Sequence, residues 1–104
     1  MNMKEIIDAI LKSIEENNEM AKAILNSTNA TSDYKEYAQS CIDINESTAE
    51  IAKDIPVDSL DALEGQPEMI KAVKSAIDLV VEALPLIRKN YYCLIQLKKE
   101  LSIE

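Results

Sequence analysis

Residues 67–101 read PEMIKAVKSAIDLVVEALPLIRKNYYCLIQLKKEL. Ile70, Val73, Ile77, Val80, Leu84, Ile87, Tyr91, Leu94, Lys98 and Leu101 recur alternately three and four apart. That spacing keeps one stripe on a single face of a helix and makes a heptad seam. The period holds straight through Pro85, and no turn residue flanks that proline. The stretch therefore predicts one continuous helix, kinked at Pro85, rather than a hairpin. Pro67 suits the first helical position, Glu68 the first turn, and Lys98 and Lys99 the last turn. A helix of about 35 residues would be ~52 Å long at 1.5 Å per residue.

Two further helices are legible upstream. Met3, Ile7, Ile10, Ile14, Asn17, Ala21 and Ile24 alternate four and three apart, widened by Ile6, Leu11 and Leu25. They predict a helix from about Met3 to Leu25. Asn17 is the one polar member of this seam, which is how register and oligomer state are set in coiled coils. Asn26 to Ser32 is a run of residues whose side chains bond locally to backbone, and it reads as a loop. Ser32 or Asp33 then caps a second helix, with Glu36 completing a capping-box variant. Its seam reads Tyr34, Tyr37, Cys41, Ile44, Thr48, Ile51 and Ile55, and Pro56 ends it. Asp58 to Glu64 looks like a short helix capped by Asp58, with Gly65 as its left-handed stop and Val57, Leu60 and Leu63 plugging the bundle.

Composition agrees with helices. The 104 residues include 14 Ile, 10 Leu and 11 Ala, no Phe or Trp, one Gly and three Pro. Closely packed helices suit such an aliphatic core, and a many-stranded sheet would need more turn residues. The expected fold is all-α: one domain over residues 1–104, an antiparallel helical bundle with two medium helices, a short connecting helix and a long Pro-kinked C-terminal helix. The long helix outreaches its partners, so its last turns should overhang while still carrying Leu94, Ile95, Leu97 and Leu101. An apolar overhang needs a cover. A homo-oligomer or a protein partner is expected there, with Asn17, Leu94, Leu97 and Leu101 as interface residues.

The net charge is −8. Residues 1–68 hold 15 acids and 5 bases, or −10; residues 69–104 hold 4 acids and 6 bases, or +2. Nucleic acid and anionic membranes are disfavoured as partners. The most apolar stretch, Ile77 to Ile87, contains Asp78, Glu82 and Pro85, so no membrane span is expected. The N-terminal residues lack a secretory pattern, which makes a cytoplasmic location the expectation. Cys41 and Cys93 then read as reduced core thiols, and the three Asn-X-Ser/Thr sequons as coincidental.

The chain has no histidine. Imidazole bases, Ser–His and Cys–His nucleophiles and His-containing zinc sites are excluded, and there is no glycine-rich phosphate loop. No catalytic residue and no cofactor is expected. One acidic pattern stands out. Glu15, Glu16 and Glu19 form E-E-x-x-E on the first helix, and Asp43 and Glu46 form D-x-x-E on the second. This resembles the acidic half-motifs of the all-α nucleoside triphosphate pyrophosphohydrolases of the MazG kind. That resemblance implies Mg²⁺ held by Glu15, Glu16, Glu19, Asp43 and Glu46, and hydrolysis of nucleoside triphosphates. The second half-motif is inverted relative to the family's E-x-x-D. The seams also turn Glu16, Glu19, Asp43 and Glu46 toward solvent, whereas metal ligands must converge. The periodicity favours a solvated acidic face, with recognition of a basic partner beside it.

Tyrosines form the second constellation. The third helix should begin where the second ends and reach the level of the Asn26–Ser32 loop about 24 residues later. Tyr91 and Tyr92 would then lie near Tyr34 and Tyr37, with Arg88 and Lys89 a turn below. Tyr34, Tyr37, Arg88 and Tyr91 could stack a base and hold a phosphate. The simpler alternative is that the phenols close the bundle end.

The leading functional expectation is a non-catalytic protein that binds a partner. It would be of the small acidic bacterial or phage accessory type: inhibitor, antitoxin, immunity or anti-defence protein. The abundance of Ile, Lys and Asn points the same way, toward an AT-rich genome. The alternatives are a Mg²⁺-dependent pyrophosphohydrolase and a nucleotide-sequestering oligomer.

Overall fold

A computed structural model describes residues 2–103, which contain helices and no strand. The order is α1 (Met3–Leu25), α2 (Ser32–Lys53), a 3-10 turn (Leu60–Leu63) and α3 (Pro67–Glu100). The first helix has the expected ends. Asn2 caps it, its side-chain oxygen accepting from the Glu5 amide at 2.9 Å.

For α2 the cap is Thr31 rather than Ser32 or Asp33. Its backbone is extended, and its hydroxyl accepts from the Tyr34 amide at 3.3 Å. Ser32 is already helical, so it cannot cap; the last non-helical residue does. The connecting element is also shorter than expected. Ser59 precedes the turn with no side-chain capping bond. Asp58 instead meets Lys4 at 3.5 Å across the exposed surface. Gly65 has the expected positive φ, +80°.

The long helix α3 runs unbroken through Pro85. Its end is a motif the sequence reading did not foresee. Ser102 sits at φ 56°, the Ser102 amide donates to the Lys99 carbonyl at 3.2 Å, and the Ile103 amide donates to the Lys98 carbonyl at 2.9 Å. These are the two bonds of a Schellman cap, formed here without glycine.

The three helices pack in one sequence-ordered arrangement. Rising numbers on α1 meet falling numbers on α2 and rising numbers on α3. Near one end, Ile7 clusters with Ala52, Ile55 and Val80, edged by Val73 and Ile77. Near the other, Ala21 and Ile24 cluster with Ala38, Cys41, Ile42, Leu94 and Leu101. Between these apolar clusters lies a polar layer. The fully buried Asn45 donates from Nδ2 to Asn17 Oδ1 at 3.0 Å and to Asn18 Oδ1 at 2.8 Å. Asn17, also fully buried, donates from Nδ2 to the Ile87 carbonyl at 3.1 Å. One layer thus ties all three helices.

Two expectations need correction. Leu94 is 0% exposed and Leu101 is buried; Leu97 packs against the same cluster. Leu94 and Leu101 are not free to form an interface, and Leu97 is half-buried, lining a shallow hollow with Tyr34 and Tyr37. Asn17 likewise sets register within the chain. The cause is the start of α3. Its first turn lies beyond the N-terminus of α1, where Met69 and Ile70 stay exposed. Its last turns are thereby drawn level with Leu25, Ala30 and Tyr34, which cover them. The helix overhangs at its N-terminal end.

Candidate functional site

Side chains assigned to chemistry from the sequence are distributed over separate surfaces. Glu15, Glu19, Glu46 and Glu50 border one open groove between α1 and α2, of about 810 Å³, with Asp8, Lys12, Lys22 and Lys53. Glu16 lies elsewhere, lining a hollow with Asn17, Ile87, Arg88 and Tyr91. Asp43 accepts from Gln39 at 3.0 Å on the exposed side of α2. Successive helical residues diverge by about 100°, so Glu15 and Glu19 share a side that Glu16 cannot. Among the described residues no three Cys, Asp or Glu side chains are grouped so as to hold a metal ion. The set implied by the pyrophosphohydrolase resemblance is not assembled.

The tyrosines are divided too. Tyr34 donates to Glu100 Oε2 at 2.7 Å, and Tyr37 donates to Asn90 Oδ1 at 2.7 Å. Both line a shallow hollow with Cys93, Gln96 and Leu97. Tyr91 and Tyr92 form an edge-to-face pair, 5.5 Å between centroids, on the flank that carries Arg88 and faces Ser13 and Glu16 of α1. The axial level expected for Tyr91 is right and the side is wrong. Asn90 and Cys93 take the side facing α2. Tyr34, Tyr37, Arg88 and Tyr91 therefore do not enclose a common ligand volume.

Tyr37 has a structural role. Its phenol is held well above the ordinary value of 10.0, first by burial and then by hydrogen bonding and charge from Cys93 and Cys41. Burial also raises the Cys41 thiol, which the Tyr37 hydroxyl partly offsets. Tyr34 is raised as well, chiefly through its bond to Glu100. Because the fold favours the neutral Tyr37 phenol, its contribution is complete below about pH 10. It is lost as pH climbs from there toward the folded-state value. Tyr37→Phe should cost about 1 kcal/mol at neutral pH, since Asn90 Oδ1 loses its donor. It should also make the alkaline fall in stability shallower, as read from urea midpoints across pH. An unchanged alkaline slope would place the titrating group elsewhere.

Two buried polar residues, Asn45 and Asn90, lie outside the expected seams, while Thr48, on the expected seam of α2, is buried as well. A signal was present. Ala38, Cys41, Asn45, Thr48 and Ala52 also alternate three and four apart, and together with Ile42 they are the buried residues of α2. The isoleucine-rich stripe through Ile44 and Ile51 is more hydrophobic but only half-buried. Small residues won the core because they let the helices approach closely.

What remains conspicuous is the outer surface of α3. Eight large apolar side chains stay exposed among the described residues, and seven are on this helix: Met69, Ile70, Leu79, Val81, Leu86, Tyr91 and Tyr92. The charged side chains around them form almost no internal pairs. Lys4–Asp58 is the one ion pair among the described residues. No helix among the described residues is long and apolar enough to cross a membrane. No protein-family model, curated protein or solved structure matches the chain.

Proposed function

We propose that this chain is a non-catalytic cytoplasmic binding protein whose recognition element is α3. It would be of the small acidic accessory type found in bacteria and phages, acting on one protein partner as an inhibitor, antitoxin, immunity or anti-defence factor does. The single observation that supports the reading is the concentration on α3 of seven of the eight exposed large apolar side chains among the described residues, with Leu79 53% and Leu86 43% exposed. Leaving such residues in water forgoes burial worth roughly 1.5–3 kcal/mol each. A helix that serves only to fill a bundle has no use for them on two flanks. The acidic groove between α1 and α2 suits solubility, because its carboxylates are interleaved with Lys12, Lys22 and Lys53.

Leu79 and Leu86 lie seven residues apart, on one flank, two turns from each other. The double substitution Leu79→Asp and Leu86→Asp is expected to abolish capture of a stoichiometric protein partner from host lysate, with helicity unchanged by circular dichroism. Glu15→Lys with Glu46→Lys should leave capture intact. If the α3 variant captures as the wild type does, or the groove variant loses capture, α3 is not the recognition element.

A further inference from the structure

We infer that α3 pairs with the α3 of a second copy, antiparallel and about a two-fold axis near residue 83, through a seam on its outer side. This rests on the reading of α3 as the recognition element and names a second occupant for it, on the flank away from Leu79 and Leu86.

The seam is Lys74, Asp78, Val81, Pro85, Arg88 and Tyr92. These residues alternate four and three apart, the spacing by which helices pair side by side. All six are exposed, Tyr92 at 64%. They belong to neither apolar cluster. Val81, Pro85, Arg88 and Tyr92 line a shallow furrow of about 400 Å³ together with Leu84 and Lys89. So α3 carries two heptad seams: the inner one is buried against α1 and α2, and the outer one stays exposed, with only the edge of Tyr92 packed on Tyr91 and a hollow shared with Ser13 and Glu16 at its Arg88–Tyr92 end.

The order of residues along the outer seam selects the occupant. Acid precedes base about its centre, so the seam is complementary to its own reverse. In an antiparallel pair each layer joins a position to its opposite number. Val81 meets the partner's Pro85, two apolar surfaces at the middle. Asp78 meets the partner's Arg88, opposite charges. Lys74 meets the partner's Tyr92, a cation against an aromatic face. Each layer occurs twice by symmetry, as a two-fold interface requires. A parallel pair would set Arg88 against Arg88 and Asp78 against Asp78.

Long-range charge agrees. Two copies of net charge −8 repel at most approaches, and residues 69–104, at +2, are the part where they repel least. Pro85 lacks the amide that would bond the Val81 carbonyl in a regular helix.

The test is sedimentation equilibrium of the full chain with Asp78→Arg, Arg88→Asp and both together. Each single change sets like charges face to face twice per dimer. It should raise the dimer dissociation constant by about tenfold or more. The double change restores opposite charges in swapped order and should recover the dimer. Both positions are exposed, and circular dichroism checks that each variant stays helical. A wild type that is monomeric at the highest attainable concentration overturns the proposal. So does a dimer that ignores the single changes, or one that the double change fails to restore. Partner capture is measured on the same proteins. Capture retained without dimerisation overturns only the self-pairing, whereas dimerisation retained while Leu79→Asp with Leu86→Asp captures normally overturns only the recognition reading.

Discussion

Leu94→Ala is expected to lower the unfolding free energy by about 3 kcal/mol, within the 2–5 kcal/mol typical of a fully buried leucine. For a domain of this size the thermal midpoint should fall by more than roughly 10 °C. The reason is position. Leu94 is 0% exposed and sits among Ile24, Ala38, Cys41 and Ile42 where all three helices meet. The small residues around it cannot swing in to fill the void, so both the lost transfer energy and the cavity weigh against the fold. Leu94→Asp should unfold the chain outright, because a carboxylate would be buried without a partner. A thermal melt followed by circular dichroism decides the matter. A full-strength fold that merely fails to assemble would return Leu94 to the surface.

The second large effect is a coupling. Asn17→Leu alone should cost about 2–3 kcal/mol. It removes one acceptor of the Asn45 amide and sets a leucine against that buried amide. Asn45→Leu alone should cost a similar amount, since Asn17 Oδ1 is then buried without its donor. The double variant should be far better than the sum and can equal or exceed the wild type, because an apolar layer replaces a polar one that is itself incomplete. Asn45 Oδ1 is buried with no partner. Urea unfolding of the four proteins yields the interaction term directly. An additive result would mean that the two amides do not depend on each other.

A polar layer that an apolar one could match in stability supplies something other than stability. Val80, Ile87, Leu94 and Leu101 recur every seven residues, and α1 offers Ile7, Ile14 and Ala21 at the same interval. An aliphatic seam so regular could slide by a heptad with little penalty. Asn17 and Asn45 forbid the slide, since any shift strands two amides in an apolar layer.

How much of this was readable beforehand follows from the kind of information each feature needs. The limits of α1 and the continuity of α3 through Pro85 depend on local periodicity, and periodicity is written in the sequence. Which stripe of α2 faces inward does not. Two stripes share Cys41, Thr48 and the same spacing, and the choice between isoleucines at 44 and 51 and small residues at 38, 45 and 52 depends on how near the neighbouring helices come. The end at which α3 overhangs depends on how far residues 54–66 travel before Pro67, which no residue pattern states. The candidate sites suffered most. Placing Tyr91 beside Tyr37 required axial level and azimuth together, and only the level could be counted. The exposed outer seam of α3 was countable too, but the inner seam through Ile77, Val80 and Ile87 is stronger and masked it.

The division of the interior into two clusters has a dynamic meaning. The cluster around Ile7, Ala52, Ile55 and Val80 shares no buried residue with the one around Ile24 and Leu94. Opening the first end, with the Leu60–Leu63 turn and the early part of α3, would therefore break none of the second cluster's contacts. Such an end can breathe on its own while the other stays shut. Met69, Ile70 and Leu79 lie on the part of α3 at that end. A partner gripping them would close it, so its affinity would carry the free energy of ordering one half of the molecule.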